Sequence, residues 1–183
     1  MTIEWIIGGL VFIVLLFLVL LYNGLIRSRN TVDNSWSQID VQLKKRNDLI
    51  PNLVETVKGY AKHERGVFKE VTEARSAMLR AQTIGQKAKA NNMLTDALKS
   101  IFAVAEAYPK LEASANFKEL QEELSDIEGK IAYARQFYND SVLDYNNGIQ
   151  VFPNNTLAGP FGFKKREFFQ TAESERKNVK VSF

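Results

Sequence analysis

Few side chains in this sequence could carry out chemistry. The chain has one histidine and no cysteine, so cysteine nucleophiles, disulfides and thiolate metal sites are excluded. His63 precedes Glu64 in the run HERGVF, which lacks the second histidine of a zinc-protease motif. A zinc site would need unusual all-carboxylate ligands. We therefore predict no metal and no cofactor.

Signatures of phosphate binding and of hydrolysis are missing as well. Gly8 and Gly9 lie in an apolar run, and the GPFGF segment lacks a following Lys-Ser/Thr pair. No nucleophile-elbow pattern points to a Ser-His-Asp set. Carboxylate pairs such as Glu122–Glu123 are typical of charged helix faces. We predict no catalytic residue, and an unrecognised enzyme stays only as a residual alternative.

Arg46 is the most informative polar residue, because it interrupts an otherwise apolar helical stripe. Its guanidinium must reach solvent or find a partner. Close to it, Pro51 leaves the carbonyl of Asn47 without its helical donor. The candidate cluster comprises Arg46, Asn47, Asp48 and Asn52, with Arg135 and Asn139 as residues that could face them from the last helix. We favour a structural cluster that fixes helix register, and the alternative is an anion or partner pocket.

A second candidate site lies in the aromatic-rich segment after residue 150. Its large apolar groups are Phe152, Leu157, Phe161, Phe163, Phe168 and Phe169. Burial of each could contribute ~1.5–3 kcal/mol, so we expect this irregular segment to fold back onto the helices. The alternative is a basic-aromatic contact with anionic lipid or a partner. That contact would use Phe161, Phe163, Lys164, Lys165 and Arg166.

These residues must be positioned by long helices. A stripe with alternating steps of four and three consists of Val32, Trp36, Ile39, Leu43, Arg46, Ile50, Leu53, Val57 and Tyr60. It continues as Glu64, Val67, Val71, Ala74, Met78 and Ala81. At Pro51 we favour a kink over a fresh helix start. A bend is expected between Gly59 and Gly66.

The rest of the chain supplies partners for this stripe. Thr83 to Gln86 reads as a turn, a helix from Lys87 to Tyr108 follows, and Pro109 ends it or opens the next. The last long helix is predicted from Ser114 to Gly148. Its stripe is Phe117, Leu120, Leu124, Ile127, Ile131, Ala134, Tyr138, Val142 and Tyr145. The sequence predicts an all-α fold, a transmembrane helix followed by an elongated antiparallel bundle, and no sheet.

The N-terminus is predicted to be a membrane anchor. Residues 5–21 contain no charged or strongly polar side chain, and about 20 residues span the ~30 Å hydrocarbon core. A cleaved signal peptide is the alternative, but Glu4 precedes the run where basic residues would be expected. Arg27 and Arg29 follow it, which places the N-terminus outside and the larger part in the cytoplasm.

Charge and composition bound the remaining possibilities. The net charge of +3, with acidic and basic residues interleaved, predicts no nucleic-acid partner. We divide the chain into an anchor (1–27), a helical bundle (28–150) and an aromatic segment with a polar tail (151–183). From Thr171 onward we expect a mobile tail, apart from Val179, Val181 and Phe183.

Three blocks of sequence closely resemble the LemA family. They are QLKKRNDLIPNLVETVKGYAKHE from Gln42 to Glu64, AEAYPKLEASANFKELQEEL from Ala105 to Leu124, and ARQFYNDSVLDYNNGIQVFP from Ala134 to Pro153, followed by GPFGF. The blocks have the family's order and spacing behind an N-terminal anchor. The resemblance implies a bacterial single-pass protein of the inner membrane with a cytoplasmic helical bundle. It implies no enzyme activity.

Two functional hypotheses follow. The first is a non-enzymatic, membrane-tethered scaffold or adaptor that presents helical surfaces to protein partners or to copies of itself. The second is an oligomeric assembly that shapes or reinforces the membrane. Phe137, Leu143 and Phe102 lie outside the predicted stripes, so they either meet another protomer of a homo-oligomer or are covered by the C-terminal segment.

Overall fold

The computed structural model describes residues 2–169, and its regular elements are all helices. They are α1 (Thr2–Lys58), α2 (Arg65–Arg80), α3 (Ile84–Glu106), α4 (Pro109–Glu112), α5 (Ala115–Gly148) and α6 (Asn154–Ala158). No strand occurs in the described part of the chain. The all-α helical-bundle prediction is therefore confirmed. The predicted mobile tail from Thr171 lies outside the described residues.

Helix α1 runs without interruption through Pro51. The proline lacks an N–H, so the carbonyl of Asn47 has no donor within the helix. Arg75 of α2 supplies one, with its Nε 3.4 Å from that oxygen. The fresh helix start that we kept as an alternative at Pro51 is therefore wrong. The expected break near the two glycines is confirmed, because α1 ends at Lys58 and α2 begins at Arg65.

The described residues form two compact units. One contains residues 2–37 and 137–166, and the other contains residues 38–136 and 167–169; we call them the first and the second unit. Helices α2, α3 and α4 belong wholly to the second unit, and α6 belongs to the first. Our division into anchor, bundle and C-terminal segment follows composition rather than packing, and it stays a prediction.

The core of the second unit combines residues of the predicted stripe in α1 and α2 with apolar residues of α3 and α4. Its fully buried members include Ile50, Leu53, Val57, Val71, Ala74, Leu94, Ala97, Ile101 and Leu111. Helices α2 and α3 pack on each other and are joined by a short connection. They therefore form an antiparallel hairpin. Tyr60 is an exception to the predicted stripe. It lies after the end of α1, and 46% of its surface is exposed.

The start of α3 corrects the predicted turn. Thr83 is the N-cap, its side chain accepts a hydrogen bond from the backbone of Gln86, and the Gln86 side chain accepts from the backbone of Thr83. This reciprocal capping box satisfies two orphan donors. The helix therefore begins at Ile84, three residues before the predicted start, and Gly85 lies in its first turn. Pro109 opens α4, as one of the two alternatives expected.

In the first unit, the last turns of α5 bury Tyr138, Val142 and Tyr145. Trp36 of α1 packs edge-to-face on Tyr138, with ring centroids 5.6 Å apart. The segment after α5, expected to be irregular, contains the short helix α6. The N-terminal part of α1 is long and apolar enough to cross a membrane, and none of its most apolar stretch is buried within the protein.

Candidate functional site

The buried arginine lies in the second unit, where three helices meet. Arg46 of α1 is only 2% exposed. Its Nη1 donates to Oδ1 of Asn91 on α3 at 3.0 Å. The same nitrogen lies 2.8 Å from Oε2 of Glu128 on α5, whose side chain is 44% exposed. The guanidinium therefore pairs with one buried amide and with one carboxylate that reaches solvent.

The pairing of Arg46 is incomplete. Burial lowers the pKa of the guanidinium, and the negative charge of Glu128 opposes that change. Arginine still keeps its charge in proteins, so this charge must be compensated. Yet Nε of Arg46, Oδ1 of Asn47 and Oε2 of Glu128 are buried without a hydrogen bond. The contact with Glu128 is thus a close ion pair rather than an aligned hydrogen bond. Losing another polar partner would leave the buried guanidinium without adequate compensation.

Of the other five residues predicted to join Arg46, two are exposed and three are half-buried or buried. Asp48 faces solvent and pairs with Lys44 at 2.6 Å. Asn52 is exposed, and only its backbone carbonyl accepts a hydrogen bond, from Thr56. Asn47 is buried, and its carbonyl accepts from Arg75. Arg135 lies in the second unit and Asn139 in the first, both half-buried. Their proposed role stays a prediction.

A groove of about 320 Å³ borders Asn47 in the second unit. It is lined by Asp40, Leu43, Lys44, Asn47, Asp48, Met78, Leu79, Ala81 and Lys87. Its acidic groups are already neutralised, since Asp40 pairs with Lys87 and Asp48 pairs with Lys44. Neither carboxylate is therefore held ready for a ligand.

Titratable groups elsewhere in the described part of the chain form no metal site. In residues 2–169, no group of three or more acidic or histidine side chains could hold a metal ion. His63 is exposed. The Tyr108 hydroxyl donates to Glu64 at 3.3 Å, and partial desolvation together with that carboxylate raises the pKa of Tyr108. The hydroxyl is therefore held protonated.

The second candidate site belongs to the first unit, where residues 161–166 are held against α1; we call this segment the clasp. The centroid of the Tyr22 ring lies 5.1 Å from the centroid of the Phe161 ring and 5.8 Å from that of the Phe163 ring. The Arg29 guanidinium lies 5.6 Å over the Phe163 ring, which is within the range of a cation–π contact. Gly162 between the two phenylalanines has φ +72°, a conformation that glycine adopts without strain.

The other end of the clasp is fixed through its backbone. The Asn146 side chain donates to the carbonyl of Arg166 at 2.9 Å and accepts from its N–H at 2.8 Å. The Arg166 side chain pairs with Asp33 of α1 at 2.8 Å. Burial raises the pKa of Tyr145, and the positive charges of Arg166 and Arg29 nearby oppose that rise. The clasp is thus attached to both α1 and α5.

This geometry divides the residues proposed for lipid or partner contact. Phe163 is 7% exposed, and Arg166 is held by Asp33 and Asn146. Those two residues maintain the clasp. Phe161 is 58% exposed, and Lys164 and Lys165 face solvent. These three are available to an external ligand.

Comparison with known families decides the relationship. The model of the LemA family matches residues 35–183, which include Arg46 with its partners Asn91 and Glu128, and the clasp. The chain belongs to the LemA family. The family resemblance of the three sequence blocks is thereby confirmed.

Two named relatives share low sequence identity with this LemA-family chain. It is 26% identical over 179 residues to magnetosome protein MamQ 2 of Paramagnetospirillum magneticum, an alignment covering 84% of this chain and 66% of that protein. It is 25% identical over 161 residues to protein LemA of Metamycoplasma hominis, covering 87% of this chain and 74% of that protein. The chain thus spans just under two thirds of the length of its magnetosome relative. Neither name denotes an enzyme.

Sequence reasoning missed both side-chain partners of Arg46. Asn91 could have been found, because it precedes Leu94 by three residues and Leu98 by seven and so falls on the apolar stripe of α3. A polar residue on such a stripe is the same signal that marked Arg46. Glu128 gave no such signal. It lies beside the stripe of α5, and in the sequence it looks like any other acidic residue on a helix surface. The contact of Tyr22 with Phe161 was also missed, because nothing local links residues so far apart in sequence.

Proposed function

We propose that this LemA-family chain is a non-enzymatic, membrane-anchored helical scaffold or adaptor that presents helical surfaces to protein partners or to copies of itself. The observation that carries the proposal is the set of large apolar side chains exposed on helices beyond the membrane anchor. They include Leu79 (63%), Met93 (43%), Tyr133 (74%), Phe137 (41%) and Leu143 (48%). Aromatic groups of this kind are enriched at protein–protein contacts.

Phe137 and Leu143 favour self-association in particular. The alternative role for both was to be covered by the C-terminal segment. In the first unit that segment contacts Tyr22 and Arg29 instead, while both side chains remain exposed. Confinement of protomers to one membrane raises their local concentration, so that weak contacts can hold an assembly together.

The test is the mass of the full chain reconstituted in nanodiscs over a range of protein concentrations. We expect a discrete oligomer that dissociates when Phe137→Ser and Leu143→Ser are combined. The matched control combines Asp140→Ser and Asp144→Ser, exposed positions of the same helix. A monomer at every concentration, with no protein partner recovered by crosslinking at residue 137, would refute the proposal.

The proposed location is the inner membrane of a bacterium, with the N-terminus outside and the helical units in the cytoplasm. Arg27 and Arg29 after the apolar run support this orientation. The chain contains no cysteine, so Glu112→Cys on α4 would introduce a unique thiol at an exposed position. We expect this thiol to resist an impermeant reagent in intact cells and to react after permeabilisation. Labelling in intact cells would reverse the orientation.

A second candidate function is an assembly that shapes or reinforces the membrane. It is favoured by the clasp, which brings exposed basic and aromatic groups to Tyr22 at the end of the apolar run. Electron microscopy of vesicles containing the full chain separates the two candidates. Tubulated or constricted vesicles would favour membrane shaping, whereas unchanged vesicles that contain the oligomer would favour the scaffold.

A further inference from the structure

The clasp is fixed at one depth along the membrane anchor. At about 1.5 Å per residue, α1 rises roughly 28 Å from Ile3 to Tyr22, close to the ~30 Å thickness of the hydrocarbon core. The side chains of residues 3–20 are exposed, as expected for a surface that lipid covers. Tyr22 is thus placed where the hydrocarbon gives way to headgroups, a depth at which tyrosine is enriched.

Phe161 is held at that same depth. Its ring packs on Tyr22 at 5.1 Å, yet 58% of the residue is exposed. The buried Phe163 on one side and the backbone bonds to Asn146 on the other prevent the segment from moving away. An exposed aromatic ring fixed beside the end of a membrane span is positioned to enter the outer part of the bilayer.

The lysines of the clasp lie between its two fixed points. Lys164 and Lys165 are exposed, and neither forms an ion pair with another residue in the range 2–169. Arg27 is exposed on α1 just past the apolar run. Positive charge at this depth is attracted to the negative surface potential of anionic lipids.

We infer that the clasp is a binding surface for anionic lipid headgroups, with Phe161 inserted beside Tyr22 and with Lys164 and Lys165 in contact with the headgroup phosphates. This inference goes beyond the scaffold function and needs only that α1 crosses a membrane. A membrane rather than a soluble partner is the occupant, because the clasp adjoins the apolar surface of α1.

The test measures how fast each lysine of the full-length chain is acetylated by an uncharged, amine-reactive reagent. The extent of acetylation is read by peptide mass spectrometry. The chain is compared in nanodiscs of phosphatidylcholine and in nanodiscs containing a third of phosphatidylglycerol. We expect anionic lipid to slow acetylation of Lys164 and Lys165 by about fivefold each, the factor that matches the attraction of one basic residue to an anionic surface. High salt should remove this protection.

Controls within the chain separate headgroup contact from other causes. Lys89 and Lys118 of the second unit are exposed, and their rates should be the same in both nanodiscs. Inorganic phosphate added to neutral nanodiscs should protect no lysine. Equal rates for Lys164 and Lys165 in both lipids, or protection by free phosphate, would overturn the inference.

The role of Phe161 has its own variant. Because the residue is largely exposed, Phe161→Ser should leave the fold intact and reduce the protection of Lys164 and Lys165. Val151→Ser, at an exposed apolar residue of the same unit that has no part in the proposed self-association, is the matched control and should leave protection unchanged. Equal protection in the two variants would overturn insertion of Phe161.

Membrane insertion is checked on the same samples by flotation with vesicles after an alkaline wash. A chain that fails to float lacks the anchor, which overturns the inference. Failure of the scaffold proposal is read separately from the oligomer mass, so the two outcomes remain distinguishable.

Discussion

Arg46 in the second unit and Arg166 in the first both pair with a carboxylate, but in opposite surroundings. The Arg46 side chain is 3% exposed, and that of Arg166 is 38% exposed. Arg46 donates to a side-chain amide, that of Asn91. Arg166 is positioned instead through its backbone by Asn146.

The difference shows that burial, rather than distance, decides what a charge pair contributes. Both ion pairs are 2.8 Å long. Desolvation of Arg46 makes its partners indispensable, since an uncompensated buried charge is strongly destabilising. The Arg166 pair is partly exposed to water, and exposed pairs contribute little. Arg46 therefore belongs to the stability of its unit, and Arg166 helps to locate a surface segment.

The largest expected loss of stability comes from a change in the apolar core, against which the effects of the two ion pairs can be compared. Leu124 of α5 is 3% exposed in the apolar core of the second unit. Leu124→Ala should lower the free energy of unfolding by about 2–5 kcal/mol, because it removes buried methyl groups and leaves a cavity. Chemical denaturation of the full chain in detergent measures this. Glu122→Ala on the exposed side of α5 should stay within about 0.5 kcal/mol, and equal stability of both variants would contradict the assigned core.

Removing the acid that faces Arg46 is the next prediction. Glu128→Gln should destabilise the second unit by roughly 3 kcal/mol, at the low end of the range for a broken buried pair, because Glu128 itself is partly exposed and water can approach. The same denaturation experiment measures it. A variant as stable as the parent would show that Asn91 alone satisfies the guanidinium.

The corresponding change in the clasp should be small. Asp33→Asn removes the exposed partner of Arg166, and we expect a loss of about 0.2–1 kcal/mol that shrinks further in high salt. The melting temperature at low and high ionic strength measures it. If Asp33→Asn proved as costly as Glu128→Gln, burial would not be what separates the two arginines.

The smallest predicted effect concerns alkaline pH. Burial raises the pKa of Tyr145 above the ordinary value of 10.0, so the folded state holds this proton more tightly than the unfolded state does. The resulting stabilisation is complete below the unfolded pKa and is lost as pH rises through the raised folded pKa. Melting temperatures measured from pH 9 upward, about one unit below the ordinary value, should fall less steeply for Tyr145→Phe. Tyr133→Phe, at an exposed position, should leave the slope unchanged.

The two units also differ in how much the sequence could predict. The core of the second unit follows from local patterning, because residues three and four apart share a helix face whatever they pack against. Leu53, Val57, Leu124 and Ile131 are accordingly buried as predicted. The capping box at Thr83 was equally local and could have been read, since Gln86 follows by three residues.

The partners in the candidate sites depended on contacts that local patterning does not encode. Asn91 is separated from Arg46 by 45 residues, and Arg166 from Asp33 by 133. Their meeting depends on how the helices pack, not on spacing along the chain. The sequence therefore identified Arg46 as a residue in need of a partner without identifying that partner. It also proposed Phe161 and Phe163 together, although packing on Tyr22 leaves one exposed and buries the other.

Because of the proline in α1, one backbone carbonyl of that helix accepts its hydrogen bond from a side chain of α2. Arg75 of α2 donates to the carbonyl of Asn47, which Pro51 leaves without its helical donor. Pro51→Ala would return that acceptor to its own helix, and Arg75→Ala should then cost less than it does in the parent chain. A double-mutant cycle would measure this coupling. Because the acceptor is a backbone oxygen, the side chain at position 47 can change without removing the bond, whereas Arg75 can be replaced at low cost only after Pro51 has been replaced.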